Sequence, residues 1–412
     1  MSTLRPGGVA IFVLIAAALY LTFQQGFPRT AGHFPEYCTP SDLMTSQQLR
    51  FNLHSHQSSA EDSRPVYLAG NFNNWDPADE AFRLRSKEEN PHHFSITLDD
   101  ISSLPDTLEY KFTRGGWENA ELDQFGNEIL NHVISKHSGC VDDAVPHWKH
   151  DGIAFDEAYR PIVNIISEHF ELPQLIKTRR IAALLPHDYY ESDTRYPVLY
   201  LQDGQNLFDD YAPFGSWELD KRLAFMAEHG LGKFIVIAID HAEEERIAEF
   251  TPTLPTSRLG SGDGKKYARF LAETLKPYID EHFRTRPERE FTGIGGSSMG
   301  GLISIYAAKQ HPEVYSCLLL FSPSFWVTPR LPVRFVEEAT QFSGKIYTYG
   351  GGDETEMLVG RLTEFHEKLI QAAGHRELES RLSINPVGKH TEAEWSREFP
   401  IAANWLFGDT KE

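Results

Sequence analysis

The sequence predicts an α/β fold, a mostly parallel sheet with helices on both faces, preceded by a small all-β sandwich. Three observations lead there. Residues from about 41 to 143 hold short alternating segments between turn residues, with no helix-period stretch of useful length. From about 160 onward, apolar runs of strand length alternate with amphipathic helices. The join near Val141–Arg160 is polar and contains Pro146 and Gly152, which divides the chain into units at 38–143 and 155–408.

Taken in order, the chain begins with Arg5 and an apolar run from Val9 to Phe23. About 15 residues suit a signal h-region better than a tilted span. No small-x-small cleavage site follows at the right distance, so residues 1–30 are read as either a signal peptide or a membrane anchor. The polar, Gly/Pro-containing stretch Gln24–Gly32 argues against a buried core helix. Export is expected, to the periplasm, the medium or an outward-facing anchored position. Cys38 precedes the first unit and Cys140 follows its last strand. Strand ends at opposite termini of a sandwich lie close together, so a Cys38–Cys140 disulfide is expected in an oxidising compartment. Cys317, inside VYSCLLLF, reads as a buried free thiol.

The sandwich strands are PVYLAGNF, FRLRS, HHFSITL and LEYKFTR, each with a period of two. In the second unit the buried-strand candidates are PIVNIIS, RIAALLP, YPVLYLQ, FIVIAID, REFTGIG, SCLLLFS, KIYTYG and ESRLSINP. Tyr267, Phe270, Leu271, Thr274, Leu275, Tyr278 and Ile279 mark one face of a long helix. Leu302, Ile303, Ile305 and Tyr306 mark a shorter one. A formal net charge of -20 repels phosphate backbones and anionic membrane surfaces, which argues against nucleic acid as a partner.

The chemistry concentrates in GGSSMGG, Gly295 to Gly301. Gly296-Ser297-Ser298-Met299-Gly300 fits G-x-S-x-G between a strand and an apolar helix, the setting of a nucleophile elbow. The turn pushes Ser298 into the cleft, and the helix N-terminus behind it favours developing negative charge, with the Met299 N–H as one oxyanion donor. A serine nucleophile needs a base, and the base needs an orienting carboxylate. Four histidines follow Ser298: His311, His366, His375 and His390. His311 ends the elbow helix, and His366 and His375 belong to a polar helix and its end. His390 stands in the loop NPVGKHTEAEW before the last helix, where a base reaches the top of the sheet. The acid comes from KIYTYGGGDETE, with Glu354 favoured over Asp353. The second oxyanion donor is expected after YPVLYL, at the Gln205 backbone N–H in LQDGQNLFD. Such a mechanism needs no metal or organic cofactor, and the histidine pairs His54/His56 and His92/His93 lack metal-site partners of useful spacing.

These residues together resemble the putative-esterase branch of the α/β-hydrolases, which includes enterochelin esterases, feruloyl and acetylxylan esterases and mycolyltransferases. The likeness runs over roughly 160–408 and rests on DGQNLFD, RIAEFTP, YARFLAETLKPYIDEHFRT, GIGGSSMGGLISIYAA, FSPSFW and GKHTEAEW. It implies a serine ester hydrolase acting through an acyl-enzyme on a small-molecule or glycan ester, or an acyltransferase on the same scaffold. By that likeness Ser298 is nucleophile, His390 base, and Glu354 or Asp353 acid. Trp217 and Arg246 would line the substrate cleft; core packing and an ion pair with Glu249 are their structural alternatives. Residues 50–140 resemble the immunoglobulin-like modules that bind starch and glycogen, through VYLAGNFNNWDP, LEYKFTRGGWENAE and GNEILNH. That resemblance implies a glycan ligand, with Trp75 and Trp117 as stacking tryptophans and Lys111 as the lysine that hydrogen-bonds hydroxyls. Trp117 follows Lys111 sooner than the usual second tryptophan does. A glycan-binding protein with an inactive hydrolase half is the reading from another class.

Overall fold

A computed structural model describes residues 47–57, 61–87, 89–208, 212, 215–338, 342–373 and 377–408. The apolar run 9–23 and Cys38 lie outside the described residues, and with them the signal, anchor and disulfide readings. Among the described residues no helix is long and apolar enough to cross a membrane.

The N-terminal half is built from β1 (Leu49–Ser55), β2 (Val66–Gly70), β3 (Arg83–Lys87), β4 (Asn90–Leu98), β5 (Thr107–Thr113), β6 (Glu121–Leu122), β7 (His132–Ser135), β8 (Cys140–Val145) and β9 (His147–Trp148). Seven of them form a sheet in the order β7-β5-β2-β3-β4-β1-β8, and β6 pairs β9. The sheet folds over on itself, because alternate residues of β1 and β5 are apolar and need a common interior. Leu49, Phe51 and Leu53 meet Leu108, Tyr110 and Phe112 there, with the Phe51 and Tyr110 rings edge to face at 5.1 Å.

The C-terminal half is an eight-stranded sheet of β10 (Ile162–Leu172), β11 (Lys177–Leu185), β12 (Val198–Gln202), β13 (Ile235–Ile239), β14 (Thr292–Ser297), β15 (Cys317–Phe321), β16 (Gly344–Gly351) and β17 (Leu378–Asn385). Their order is β10-β11-β13-β12-β14-β15-β16-β17, antiparallel through β10, β11 and β13 and parallel from β13 to β17. Both faces are covered, which is why these strands read as continuous apolar runs. On one face Val198, Tyr200, Ile235, Ile237, Leu318 and Leu320 pack under the helices Gly264–Phe270 and Met299–Gln310. On the other, Leu199, Leu201, Val236, Leu319 and Phe321 pack under Leu219–Glu228 and Glu392–Phe407. The long apolar face from Tyr267 to Ile279 is carried by Gly264–Phe270 and Lys276–His282, joined by a π-helical segment at Leu271–Leu275. Cys317 is a buried free thiol, its pKa pushed up by burial.

The two halves meet at the turn Asp123–Glu128. Asp123 Oδ1 accepts from the N–H groups of Phe125 and Asn127 at 2.8 and 2.9 Å, which fixes the turn. Asn127 Nδ2 then donates to the Arg397 carbonyl at 3.1 Å, and Arg222 donates to Asn127 Oδ1 at 3.1 Å. Arg397 reaches back to the Glu128 carbonyl at 2.9 Å. Gly126 has φ +74°, and a Cβ there would fall 2.6 Å from the Phe225 ring, so the turn sits against that ring only because it is glycine. Nearby the His147 ring stands edge-on to His229 at 4.0 Å and to Phe225 at 5.2 Å. Burial, then the neighbouring His229 and His56, push the His147 pKa down to about 4, so it is neutral at pH 7.

Candidate active site

In an open sheet of this kind, ligands bind beyond the carboxyl ends of the strands where the strand order reverses. Here that point is β12, which pairs β13 on one side and β14 on the other. Three residues just past the strands hold left-handed backbone: Asp203 after β12 (φ 61°), Ser298 after β14 (φ 55°) and Ser322 after β15 (φ 44°). Of these, Asp203 and Ser298 line the same cleft.

Ser298 has φ 55° and ψ -119°, a conformation that costs a non-glycine residue roughly 1–3 kcal/mol and persists only where its surroundings impose it. Its N–H donates to the Phe321 carbonyl at 2.8 Å, and its carbonyl accepts from the Leu302 and Ser324 N–H groups at 3.2 and 3.0 Å. The small residues around it let the chain pass close. A Cβ at Gly300 would lie 2.9 Å from Asp203 Oδ2, and one at Gly296 would lie 3.1 Å from both Gln202 and Gly300. Met299 is the first residue of the helix Met299–Gln310, so its N–H has no acceptor within that helix.

His390 Nδ1 lies 2.5 Å from Glu354 Oε2. The other oxygen, Oε1, accepts from Ser322 Oγ at 2.6 Å and from the Gly351 N–H at 2.7 Å. Glu354 is thus a buried carboxylate, its side chain 2% exposed, held by three partners. With Nδ1 facing a carboxylate, the network assigns the imidazole proton to Nδ1 and leaves Nε2 with its lone pair. Trp395 supports the pair twice: its ring meets His390 edge to face at 4.9 Å, and its Nε1 donates to Ser322 Oγ at 3.0 Å. Asp353 is exposed and meets this loop through its backbone, N–H to the Gly388 carbonyl at 3.0 Å.

Ser298, His390 and Trp395 line one open cleft of about 1160 Å3, together with Gln205, Asp203 and Arg246. Ser298 Oγ lies 3.2 Å from Ser324 Oγ, and among the described residues it makes no direct hydrogen bond to His390. In free enzymes such a bond often forms only when substrate arrives. Gln205 sits in the turn Gly204–Asn206, and its side-chain amide brackets His241, accepting from its N–H at 2.8 Å and donating to its carbonyl at 3.0 Å. Burial pushes Asp240, beside this loop, up to about 6, with Arg180 and Arg179 opposing. Among the described residues no group of three or more His, Cys, Asp or Glu side chains is placed to hold a metal ion.

One expectation needs correction. Trp217 does not line the cleft. It is 1% exposed, stacked on Phe321 at 5.3 Å and tilted against Trp395 at 6.2 Å. The loop after β12 plunges it into the layer beneath the site, where it supports Trp395. Arg246 does line the cleft, but its ion pair is with Asp203 (2.6 and 2.8 Å) and not Glu249. Glu249 is claimed by Arg179 at 2.8 Å and Lys177 at 2.9 Å. In the N-terminal half Trp75 is half-buried and Trp117 40% exposed, their rings tilted at 43° with centroids 6.2 Å apart. Lys111 Nζ is occupied by the Ile129 carbonyl at 2.7 Å. Sequence reasoning missed Ser322, Ser324 and Trp395. A hydroxyl just past a strand that neighbours the elbow strand, and a tryptophan five residues past the histidine, are the signals that would have found them.

The fold and the site define a protein of the α/β-hydrolase class. The chain belongs to the family described as "Putative esterase", whose model matches residues 173–406, and it is a carboxylic ester hydrolase. It is 23% identical over 246 residues to the uncharacterized protein YbbA of Bacillus subtilis, covering 57% of this chain and 94% of that one. It is 28% identical over 138 residues to the siderophore triacetylfusarinine C esterase of Aspergillus fumigatus, covering 32% of this chain and 44% of that one. An 87-residue stretch is 33% identical to an alpha-amylase of Niallia circulans, covering 21% of this chain and 6% of that one. Among solved structures, an IroE-like serine hydrolase from Shewanella oneidensis superposes with a TM-score of 0.49 at 21% identity, covering 62% of this chain and 81% of that one.

Proposed function

We propose that the chain cleaves carboxylic esters through an acyl-enzyme on Ser298, with His390 as general base and Glu354 as the orienting acid. The observation that carries this reading is the Glu354–His390 pair at 2.5 Å in the same cleft as a serine held at φ 55°. His390 Nε2 takes the Ser298 proton as Oγ adds to the ester carbonyl, and Glu354 stabilises the imidazolium. The oxyanion is received by the N–H groups of Met299 and Gln205. Nε2 then protonates the leaving alcohol, and water, activated by the same nitrogen, releases the acid. An alcohol acceptor in place of water makes the same site an acyltransferase, so a readout of the shared intermediate is the decisive one. A slowly deacylated aryl ester, quenched in acid and mapped by mass spectrometry, is expected to add one acyl mass to the peptide containing Ser298. Acylation of any other residue ends this assignment.

The substrate proposed is an acylated carbohydrate or a siderophore-type ester. The siderophore esterase match supports the second, and the amylase match, of the length of one small β module, supports the first. The Trp75–Trp117 pair gives the N-terminal half a surface on which a sugar ring can stack, although Lys111 is already occupied. Native electrophoresis through soluble amylopectin is the test. Retardation that disappears in Trp117→Ala is expected, and equal mobility with and without glucan would remove the glycan ligand.

A further inference from the structure

The cleft beside Ser298 carries more negative charge than its own cations offset. Glu168, Asp203, Asp240, Glu243, Glu244 and Glu392 all face it, against two arginines. Both arginines are committed. Arg246 gives Nε and Nη2 to the two oxygens of Asp203 at 2.6 and 2.8 Å, the two-point geometry that an incoming carboxylate or phosphate would need for itself. Arg180 stands 3.7 Å from both Asp240 and Glu168. Of the two histidines that line the cleft, His390 is paired with Glu354, and His241 is kept neutral near pH 7 because burial lowers its pKa. Glu243 and Glu244 are exposed at the rim, where their charge acts on an approaching ligand. The whole chain adds to the same field, with a formal net charge of -20. A concave, low-dielectric wall lined by one sign of charge concentrates ligands of the opposite sign and repels its own.

We infer that the part of the substrate that fills this cleft is uncharged or cationic, and that esters carrying a carboxylate, sulfate or phosphate there are turned over poorly. The inference rests on the reading of Ser298 as the group that turns esters over in this cleft. It narrows that reading to neutral sugar esters, neutral chelates and cationic alcohols or acids.

The test is a pair of matched ester series assayed at low salt on the full chain. One keeps an acetyl group and places a trimethylammonium, no charge or a carboxylate on the leaving phenol. The other keeps 4-nitrophenol and places the same three charges at the far end of a short acyl chain. In the series whose variable group enters the cleft, kcat/KM for the anionic ester is expected to fall at least ~10-fold below the neutral one, with the cationic ester equal or better. That gap closes in 0.5 M NaCl, where screening shortens to under about 5 Å, and it narrows in Glu243→Gln/Glu244→Gln. Anionic esters turned over as fast as neutral ones in both series would overturn the inference while leaving the serine mechanism in place. Neutral esters left intact, with Ser298 unacylated, would overturn both.

Discussion

Ser298→Ala is expected to leave a folded protein whose ester turnover has dropped by roughly four to six orders of magnitude, the range found when a serine nucleophile is removed. Folding should survive because Ser298 Oγ makes one weak contact, 3.2 Å to Ser324 Oγ, and alanine meets the same backbone strain that serine already bears. The N–H of Met299 and the cleft stay in place, so the loss falls on kcat and not on substrate binding. The measurement is hydrolysis of short-chain 4-nitrophenyl esters beside a thermal melt of each protein. Turnover within ten-fold of the parent, with an unchanged melt, would place the nucleophile elsewhere.

The second large effect is expected at Glu354. Its Oε1 accepts from two donors, Ser322 Oγ at 2.6 Å and the Gly351 N–H at 2.7 Å. In Glu354→Gln those donors hold the amide oxygen on their side and leave the amide NH2 facing His390 Nδ1. A donor there demands an acceptor, so the imidazole proton moves to Nε2, the nitrogen that in the proposed mechanism is bare to accept the Ser298 proton. The shape is conserved and the tautomer is wrong, which predicts a loss of kcat of roughly 1,000- to 10,000-fold with little change in KM. Asp353→Asn is the control. That side chain is exposed, so turnover within about two-fold of the parent is expected, as for surface substitutions in general. The opposite ranking of the two variants would exchange the roles of the two carboxylates.

How much of this was legible beforehand differs from residue to residue. Ser298 announces itself because the elbow is local: a strand, a serine among glycines and a helix within a dozen positions. His390 was reachable by elimination, since its loop lies between the last strand and the last helix. Glu354 was narrower, because GGGDETE offers neighbouring carboxylates and only the folded turn shows which one faces the imidazole. The Ser322–Trp395 support was out of reach, as its members stand 73 residues apart and meet only through the packing of the helix Glu392–Phe407 on the sheet. Arg246 shows the limit from the other side. Three positions along a helix made Glu249 its natural partner. Arg179 and Lys177 on β11 had a better claim to that buried carboxylate, and Asp203, 43 residues back, took the guanidinium. Trp217 is a matter of direction: an aromatic in a loop after a central strand fits a cleft wall as well as the layer beneath it. In the N-terminal half, β1 is hard to read although LRFNLHS alternates cleanly, because its polar positions blend a short strand into the long polar stretch around it.

The turn at Asp123–Glu128 bears on how this protein came to be one chain. Arg397, which it holds, stands seven positions after His390 on the helix that also carries Trp395. Arg222 completes the grip by donating to both Asn127 and Ser396 of that helix. The sandwich is therefore not cargo on a tether but part of the mould in which the histidine loop sets. A lineage that exchanged this module for another would have to carry the glycine and asparagine of one short turn along with it, or build a new abutment for its last helix.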